Sequence, residues 1–405
     1  MMTKTLYVLY ENQVVGELIQ EKSGMLSYKY TLNWLTSPEA FPISISLPLT
    51  EDVFADRIVR PYFSGLLPEG AVRESVARKL GVSSRSDFKL LQYLGGDCAG
   101  ALVLSDATNV DYAQDREPLP LEKLDELLKT YSIQPFLVDH EGVRLSLAGA
   151  QEKLPIIYEA SQFYLPKGAP STHILKLPIH GYEFTVENEA FCLTLANLIG
   201  IRSVPVDIIE IGGRNHLLVQ RYDRKFIDGK WKRLHQEDIC QVYSIPSENK
   251  YQNEGGPNVN MVSKIIKDHC SMPVKDLEQF LKQFIFSFYI QNRDAHGKNY
   301  SLLYKSNGIQ LTSQYDVLNT EVYPNLSRNM AMKLGTTYKS RDVTEEDWAI
   351  FSKEIGVNKL YVKQLREEML SLMRAKTDSA IDQLFKDKIP PIILKIRDCI
   401  YKQEL

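Results

Sequence analysis

Between Asn292 and Asp316 the order of residue types admits few folds. Asn292-Arg293-Asp294-Ala295-His296-Gly297-Lys298-Asn299 sets an amide five residues after an aspartate, and Tyr315-Asp316-Val317 closes the stretch. Tyr300-Ser301-Leu302-Leu303-Tyr304 and Ile309-Gln310-Leu311-Thr312 predict two short strands, with Asn307-Gly308 as the two-residue turn because both tolerate positive φ. Such a hairpin returns Asp316 to the side of Asn299. Upstream, Leu277, Phe280, Leu281, Phe284, Ile285, Phe288 and Tyr289 recur at three- and four-residue steps, which predicts a helix with one broad apolar face leading into the loop.

These residue types in this order suit transfer of a phosphoryl group. Asp294 can take the proton of an acceptor hydroxyl, while Asn299 and Asp316 supply the hard oxygen ligands that Mg²⁺ prefers, completed by substrate phosphates. An Asp-x-x-x-x-Asn pair alone is more often a turn or cap. The reading rests on the joint order of helix, loop, hairpin and second aspartate.

A nucleotide-anchoring half should then lie upstream. Lys176 sits in the strand-like run His173-Ile174-Leu175-Lys176-Leu177, where an ammonium buried without an anionic partner is costly. The predicted helix Thr185 to Leu198 offers Glu187 and Glu189, of which Glu189 falls on the apolar side. Ser146-Leu147-Ala148-Gly149-Ala150-Gln151-Glu152-Lys153 is a run of small residues whose backbone can approach phosphate, although Gly-x-x-x-x-Gly-Lys-Ser/Thr is absent. Val219-Gln220-Arg221-Tyr222 follows the last strand of this region, where a backbone hinge for adenine would stand.

Composition narrows the setting. The chain has 405 residues, 44% apolar and 24% charged, with a formal net charge of −3, which gives no general attraction to nucleic acid. No run approaches the length of a membrane span, and the N-terminus meets acid before a signal-peptide core develops. Five scattered cysteines show neither metal-ligand spacing nor a disulfide framework, which points to a reduced cytoplasm.

Along the chain, residues 3 to about 50 alternate like strands and end in Ile43-Ser44-Ile45-Ser46-Leu47-Pro48. Helical patches follow at Gly70 to Leu80 and Phe88 to Leu94, then a strand at Ala101 to Leu104. Asp106 to Pro120 reads as a linker. Strands are predicted at Ile156–Tyr158, Gln162–Leu165, His173–Leu177, Val206–Ile211 and His216–Val219. Beyond Gln236 almost everything but the hairpin reads helical. The expected organisation is 1–135 as a β-rich module with helices, 136–235 as a kinase N-lobe-like region carrying the Ser146 loop, and 236–405 as a helical lobe with the catalytic and Mg-binding loops. Lys225, Lys230, Lys232 and Arg233 around Asp228-Gly229 read as a solvated hairpin.

With these parts in place the chain resembles the HipA family, the serine/threonine-protein kinase toxins of bacterial toxin–antitoxin systems. The motifs that carry the resemblance run in family order: Arg144 to Lys153, Thr172 to Pro178, Val186-Glu187-Asn188-Glu189, Gln220 to Arg224, Gln236-Glu237-Asp238, Asp294 to Tyr300 and Tyr315 to Leu318, preceded by Gly65 to Gly70 and Gly95 to Ala101. Ala295 stands where the family commonly has glycine, and Asn292-Arg293 departs from its usual small residues. Neither departure removes a chemical group.

The resemblance implies an α+β, protein-kinase-like two-lobed fold with a small β-rich N-terminal module and a mostly helical C-terminal lobe. It implies use of ATP and Mg²⁺, with Asp294 as catalytic base, Asn299 and Asp316 on the metal, and Glu189 paired with Lys176. Nucleotide contacts fall on Ala148, Gly149, Ala150, Gln151, Lys153, Lys176, Gln220, Tyr222, His296 and Lys298. Ser146 matches the family's autophosphorylated serine. The implied partners are a helix-turn-helix antitoxin, a protein substrate such as an aminoacyl-tRNA synthetase, and operator DNA reached only through the antitoxin complex, with no membrane. Two rival readings stay open: a catalytically weak kinase-fold corepressor, and a small-molecule kinase of the aminoglycoside or choline type.

Overall fold

The computed structural model describes residues 3–108, 115–131, 144–145 and 147–404. It comprises two compact units: Met1–Leu177 with Ile211–Arg214 and Arg221–Glu248, and Pro178–Glu210 with Asn215–Gln220 and Asn249–Leu405.

In the first unit, strands Leu26–Tyr30, Gln13–Gln20, Lys4–Tyr10 and Leu102–Ser105 lie side by side in that order, all antiparallel. Period-two alternation turns Leu6, Val8 and Leu18 inward. Tyr28 packs on Phe63 of the helix Asp56–Ser64, ring centroids 5.6 Å apart. At Gly16 a Cβ would stand 2.3 Å from the Tyr28 hydroxyl, so only glycine lets that ring cross the sheet. The helices Gly70–Lys79 and Asp87–Leu94 stand where the periodicity placed them.

The alternating Ile43–Pro48 segment is not a strand. Ser44 and Leu47 close a tight turn, and the fully buried Glu237 carboxylate accepts from Ser44 Oγ at 2.5 Å and Ile45 N at 3.0 Å. A side chain therefore takes a backbone N–H that a ladder would have used, a choice that alternation cannot report.

A further set of antiparallel strands in this unit runs Asp115–Pro118, Gln162–Lys167, Lys153–Glu159, His173–Lys176. Asp115–Pro118 falls inside the predicted linker. It is an exposed, charged strand held by pairing to Gln162–Lys167, with no apolar pattern of its own to reveal it. The basic hairpin forms, Arg224–Ile227 against Lys230–Arg233, turning on Asp228 and Gly229, both at positive φ, but Arg233 is not solvated as expected: its side chain is 10% exposed and pairs with Asp97 at 3.0 Å.

The second unit is mostly helical. Helix Thr185–Leu198, predicted over about this range, is buried on nearly every side, and the long helix Lys359–Leu384 packs on it. Helix Pro273–Tyr289 buries Phe280, Leu281, Phe284, Ile285 and Tyr289, and Phe284 stacks on Phe351 at 4.7 Å. The C-terminal stretch resolves into Glu345–Ile355, Lys359–Leu384 and Pro391–Lys402.

The hairpin after the loop Asn292–Asn299 pairs Ser301–Lys305 with Gly308–Leu311, but Lys305 faces Gly308, so Ser306 and Asn307 form the turn. Gly308, at φ +110°, absorbs the mismatch of twist just after the turn instead of sitting within it. The predicted turn is thus displaced by one residue.

Candidate active site

The catalytic-loop candidate is fixed by its own backbone before any ligand is considered. Helix Pro273–Tyr289 ends at the core, and Gln291 adopts φ +61°. Asn292 N donates to Ser287 O at 2.8 Å, Arg293 N to Thr320 Oγ1 at 3.0 Å, and His296 N to Asp294 O at 2.8 Å. Asn292 Oδ1 accepts from Asp294 N at 3.1 Å. Asp294 is exposed amid this scaffold. Its Oδ1 accepts a hydrogen bond of 2.5 Å from the Tyr251 hydroxyl, and the Tyr251 ring meets His296 edge-on at 5.3 Å.

Asn299 and Asp316 come together, as the hairpin requires: Asn299 Nδ2 lies 3.4 Å from Asp316 Oδ2. The Asn299 Oδ1 also accepts from His296 N at 3.1 Å. Tyr315 ties the two arms, its hydroxyl reaching the buried Lys298 carbonyl and Ser301 Oγ, each at 2.6 Å. Asp316 takes φ +58°, a left-handed conformation that aspartate tolerates and that commonly marks functional positions. One carboxylate and one amide side chain suit Mg²⁺, which keeps few protein ligands and completes its shell from phosphate and water. Among the described residues no group of three or more His, Cys, Asp or Glu assembles a closed metal site.

Three residues beyond Asp316, Asn319 is held by Asn188, whose role its sequence neighbourhood hid. Its Nδ2 donates to Asn319 O and its Oδ1 accepts from Asn319 N, both at 2.9 Å, with both residues fully buried. The helix Thr185–Leu198 is thereby stitched to the segment that carries Asp316. On the same helix, Glu187 is engaged by Asn215 Nδ2 at 2.6 Å and Glu189 is 2% exposed.

In the first unit, Lys153 and Lys176 are direct cross-strand partners. Their side chains therefore leave the same face of the sheet, and Lys176 is 6% exposed. Beside them Gly149 has φ +106°, and a Cβ there would stand 2.8 Å from Lys153 Nζ. Gly149 O accepts from Glu69 N at 3.0 Å, and Gln151 Nε2 donates to Leu177 O at 2.9 Å, so the loop is pinned at both ends. Ala148 is half-buried and Ala150 exposed. These features suit phosphate. Ser146 lies outside the described residues; its neighbours Leu145 and Leu147 are buried.

One backbone donor of the expected hinge is already engaged. Gln220 N already donates to Pro205 O at 3.0 Å, and the half-buried Tyr222 hydroxyl donates to Gln236 Oε1 at 2.8 Å. Between and after them, Arg221, Asp223 and Arg224 form a buried ionic lattice with Asp97. Arg224 Nη2 reaches Asp97 Oδ1 at 2.8 Å, Arg233 Nε the same oxygen at 3.0 Å, and Ser171 Oγ donates to Oδ2 at 2.5 Å. Burial alone would raise the Asp97 pKa, but Arg224, Arg233 and Arg221 hold the carboxyl well below the usual carboxylate range. The motif residues Gly95 to Gly100 therefore serve packing: Gly100 N donates to Asp223 Oδ2 at 2.7 Å, and the Cys98 carbonyl accepts from Arg221.

Fold and donor set first define a class, a protein-kinase-like α+β chain with a β-rich module in front. The comparisons then name the family. Residues 6–105 match the HipA N-terminal domain and residues 145–380 the HipA-like C-terminal domain. "Putative kinase Y4mE" of Sinorhizobium fredii is 40% identical over 365 residues, 88% of this chain and 87% of that one. The serine/threonine-protein kinase toxin HipA of Shewanella oneidensis is 28% identical over 371 residues, 88% of this chain and 84% of that one. HipA from the solved S. oneidensis complex of HipA, HipB and operator DNA superimposes with a TM-score of 0.86 at 24% identity, over 98% of this chain and 96% of that one. The chain belongs to the HipA family of serine/threonine kinase toxins.

Proposed function

We propose that this chain is an ATP-dependent serine/threonine-protein kinase that arrests growth by modifying a cellular protein, such as an aminoacyl-tRNA synthetase. The observation that carries the reading is the Asn299–Asp316 pair, 3.4 Å apart, on a loop and hairpin that also present Asp294. Asp294 would take the acceptor hydroxyl's proton, and Asn299 and Asp316 would hold Mg²⁺. The metal, when bound, neutralises charge on the phosphates. Lys176, oriented by Glu189, and Lys153 would meet those phosphates with the backbone of Ala148, Gly149, Ala150 and Gln151. His296 and Lys298 would contact nucleotide from the catalytic loop, and Gln220 and Tyr222 would present backbone groups to adenine.

Ser146 would be the site of self-inactivation. A phosphate there adds roughly −1.5 to −2 charge next to an anion-binding loop, and its buried neighbours Leu145 and Leu147 would have to give way. A helix-turn-helix antitoxin would be the partner, with operator DNA engaged through that complex, as the family and the S. oneidensis assembly suggest. The setting would be a reduced cytoplasm. No disulfide joins any of the five cysteines, and among the described residues no helix is long and apolar enough to cross a membrane.

The test is transfer from [γ-³²P]ATP with Mg²⁺ to the chain itself and to a cell lysate, for wild type and Asp294→Asn. Loss of the base should cost on the order of a hundredfold or more. Undiminished transfer by the variant would refute the assignment. Label appearing only on metabolites would favour the small-molecule kinase.

A further inference from the structure

An exposed aspartate samples several rotamers, and each one costs a general base part of its effective concentration. Asp294 is exposed, yet one oxygen is held by a phenol. We propose that Tyr251 is a positioning residue for catalysis: it anchors Asp294 Oδ1 so that Oδ2 is kept for the acceptor hydroxyl. This rests on the assignment of Asp294 as base.

The anchor is built from the chain on both sides of Tyr251. Gly297 N, within the catalytic loop, donates to Lys250 O at 3.3 Å, and Lys333 N donates to Gln252 Oε1 at 2.9 Å. Tyr251 O itself accepts from Glu254 N at 2.9 Å and Gly256 N at 2.8 Å, closing a turn. Gly255 turns at φ +96°, and at Gly256 a Cβ would fall 2.4 Å from Asn249 O and 2.6 Å from Lys250 C. Two adjacent glycines thus fold the segment Lys250–Gly256 back on itself with the tyrosine held outward. His296, 6% exposed, braces the ring edge-on. A tyrosine suits the task because its hydroxyl rides on a rigid ring with two torsions. In the transfer step the acceptor oxygen forms its bond to the γ-phosphorus as the bond from phosphorus to the ADP oxygen breaks. The acceptor proton passes to Asp294 Oδ2, and Tyr251 keeps its own proton.

Steady-state kinetics of ADP formation and binding of the fluorescent analogue mant-ATP with Mg²⁺ test this on the full chain. Tyr251→Phe keeps the ring against His296 and removes only the hydroxyl. A hydrogen bond to a charged group of this kind corresponds to a fall in kcat on the order of tenfold to a hundredfold, with the KM for ATP and mant-ATP affinity within about twofold. Gly256→Ala should produce the same split by displacing the segment, and adding Tyr251→Phe to it should change kcat no further. A kcat for Tyr251→Phe equal to or above that of wild type overturns the inference, as does full additivity with Gly256→Ala. A wild-type chain that binds mant-ATP and forms no ADP overturns the kinase reading and this inference with it.

Discussion

Replacing Asp97 by asparagine should destabilise the first unit more than almost any other single change of equal volume. Asp97 and Asp223 offset Arg221, Arg224 and Arg233, so the buried group carries a formal charge of about +1, and the substitution leaves about +2. Arg221 and Arg224 are almost wholly inaccessible to water, so solvent cannot screen the excess. The amide oxygen can still accept from Arg224 and Arg233 at 2.8 and 3.0 Å, but the NH2 that replaces Oδ2 sets donor against donor at Ser171 N, 3.1 Å away, and cannot accept from Ser171 Oγ as a carboxylate does. Removing one partner of such a buried set costs about 3–5 kcal/mol, a large share of the ~5–15 kcal/mol that holds a typical domain folded. Urea unfolding followed by tryptophan fluorescence and circular dichroism reads the loss directly. Added salt should recover little, because buried pairs are weakly screened. A loss under about 1 kcal/mol, or one that salt restores, would refute the reasoning.

Acid should destabilise the same unit through His235. Burial lowers its pKa to about 4 even though the ring nitrogen bonds to Ile43 O at 2.7 Å. The folded state keeps the ring neutral while the unfolded chain takes a proton below about 6.5, so stability is full above that pH and falls through the window from about 6.5 to 4. The loss approaches ~3 kcal/mol, and His235→Asn should flatten that slope in unfolding curves taken at pH 7 and 4.5. Asn188→Ala orphans the buried N–H and C=O of Asn319, which should cost about 2–4 kcal/mol of stability and loosen the segment bearing Asp316. Calorimetry and Mn²⁺ binding by electron paramagnetic resonance check it; an unchanged melting temperature with unchanged Mn²⁺ affinity would contradict it.

What was legible in the chain alone was local. The helix Thr185–Leu198, the helix Pro273–Tyr289 and the hairpin from Ser301 to Leu311 each write their period and their turn into adjacent residues, so Asp294, Asn299 and Asp316 could be read as a set. What only the tertiary structure decided were bonds between residues far apart in sequence. Tyr251 meets Asp294 across 43 positions, Asn188 meets Asn319 across 131, and Asp97 meets Arg224 across 127. No periodicity records such pairs, because a hydroxyl, an amide or a carboxylate looks the same in a sequence whether it is solvated at the surface or satisfying a buried partner. The Ile43–Pro48 turn marks the same limit from the other side: its alternation suits a strand, and the Glu237 carboxylate overrides it.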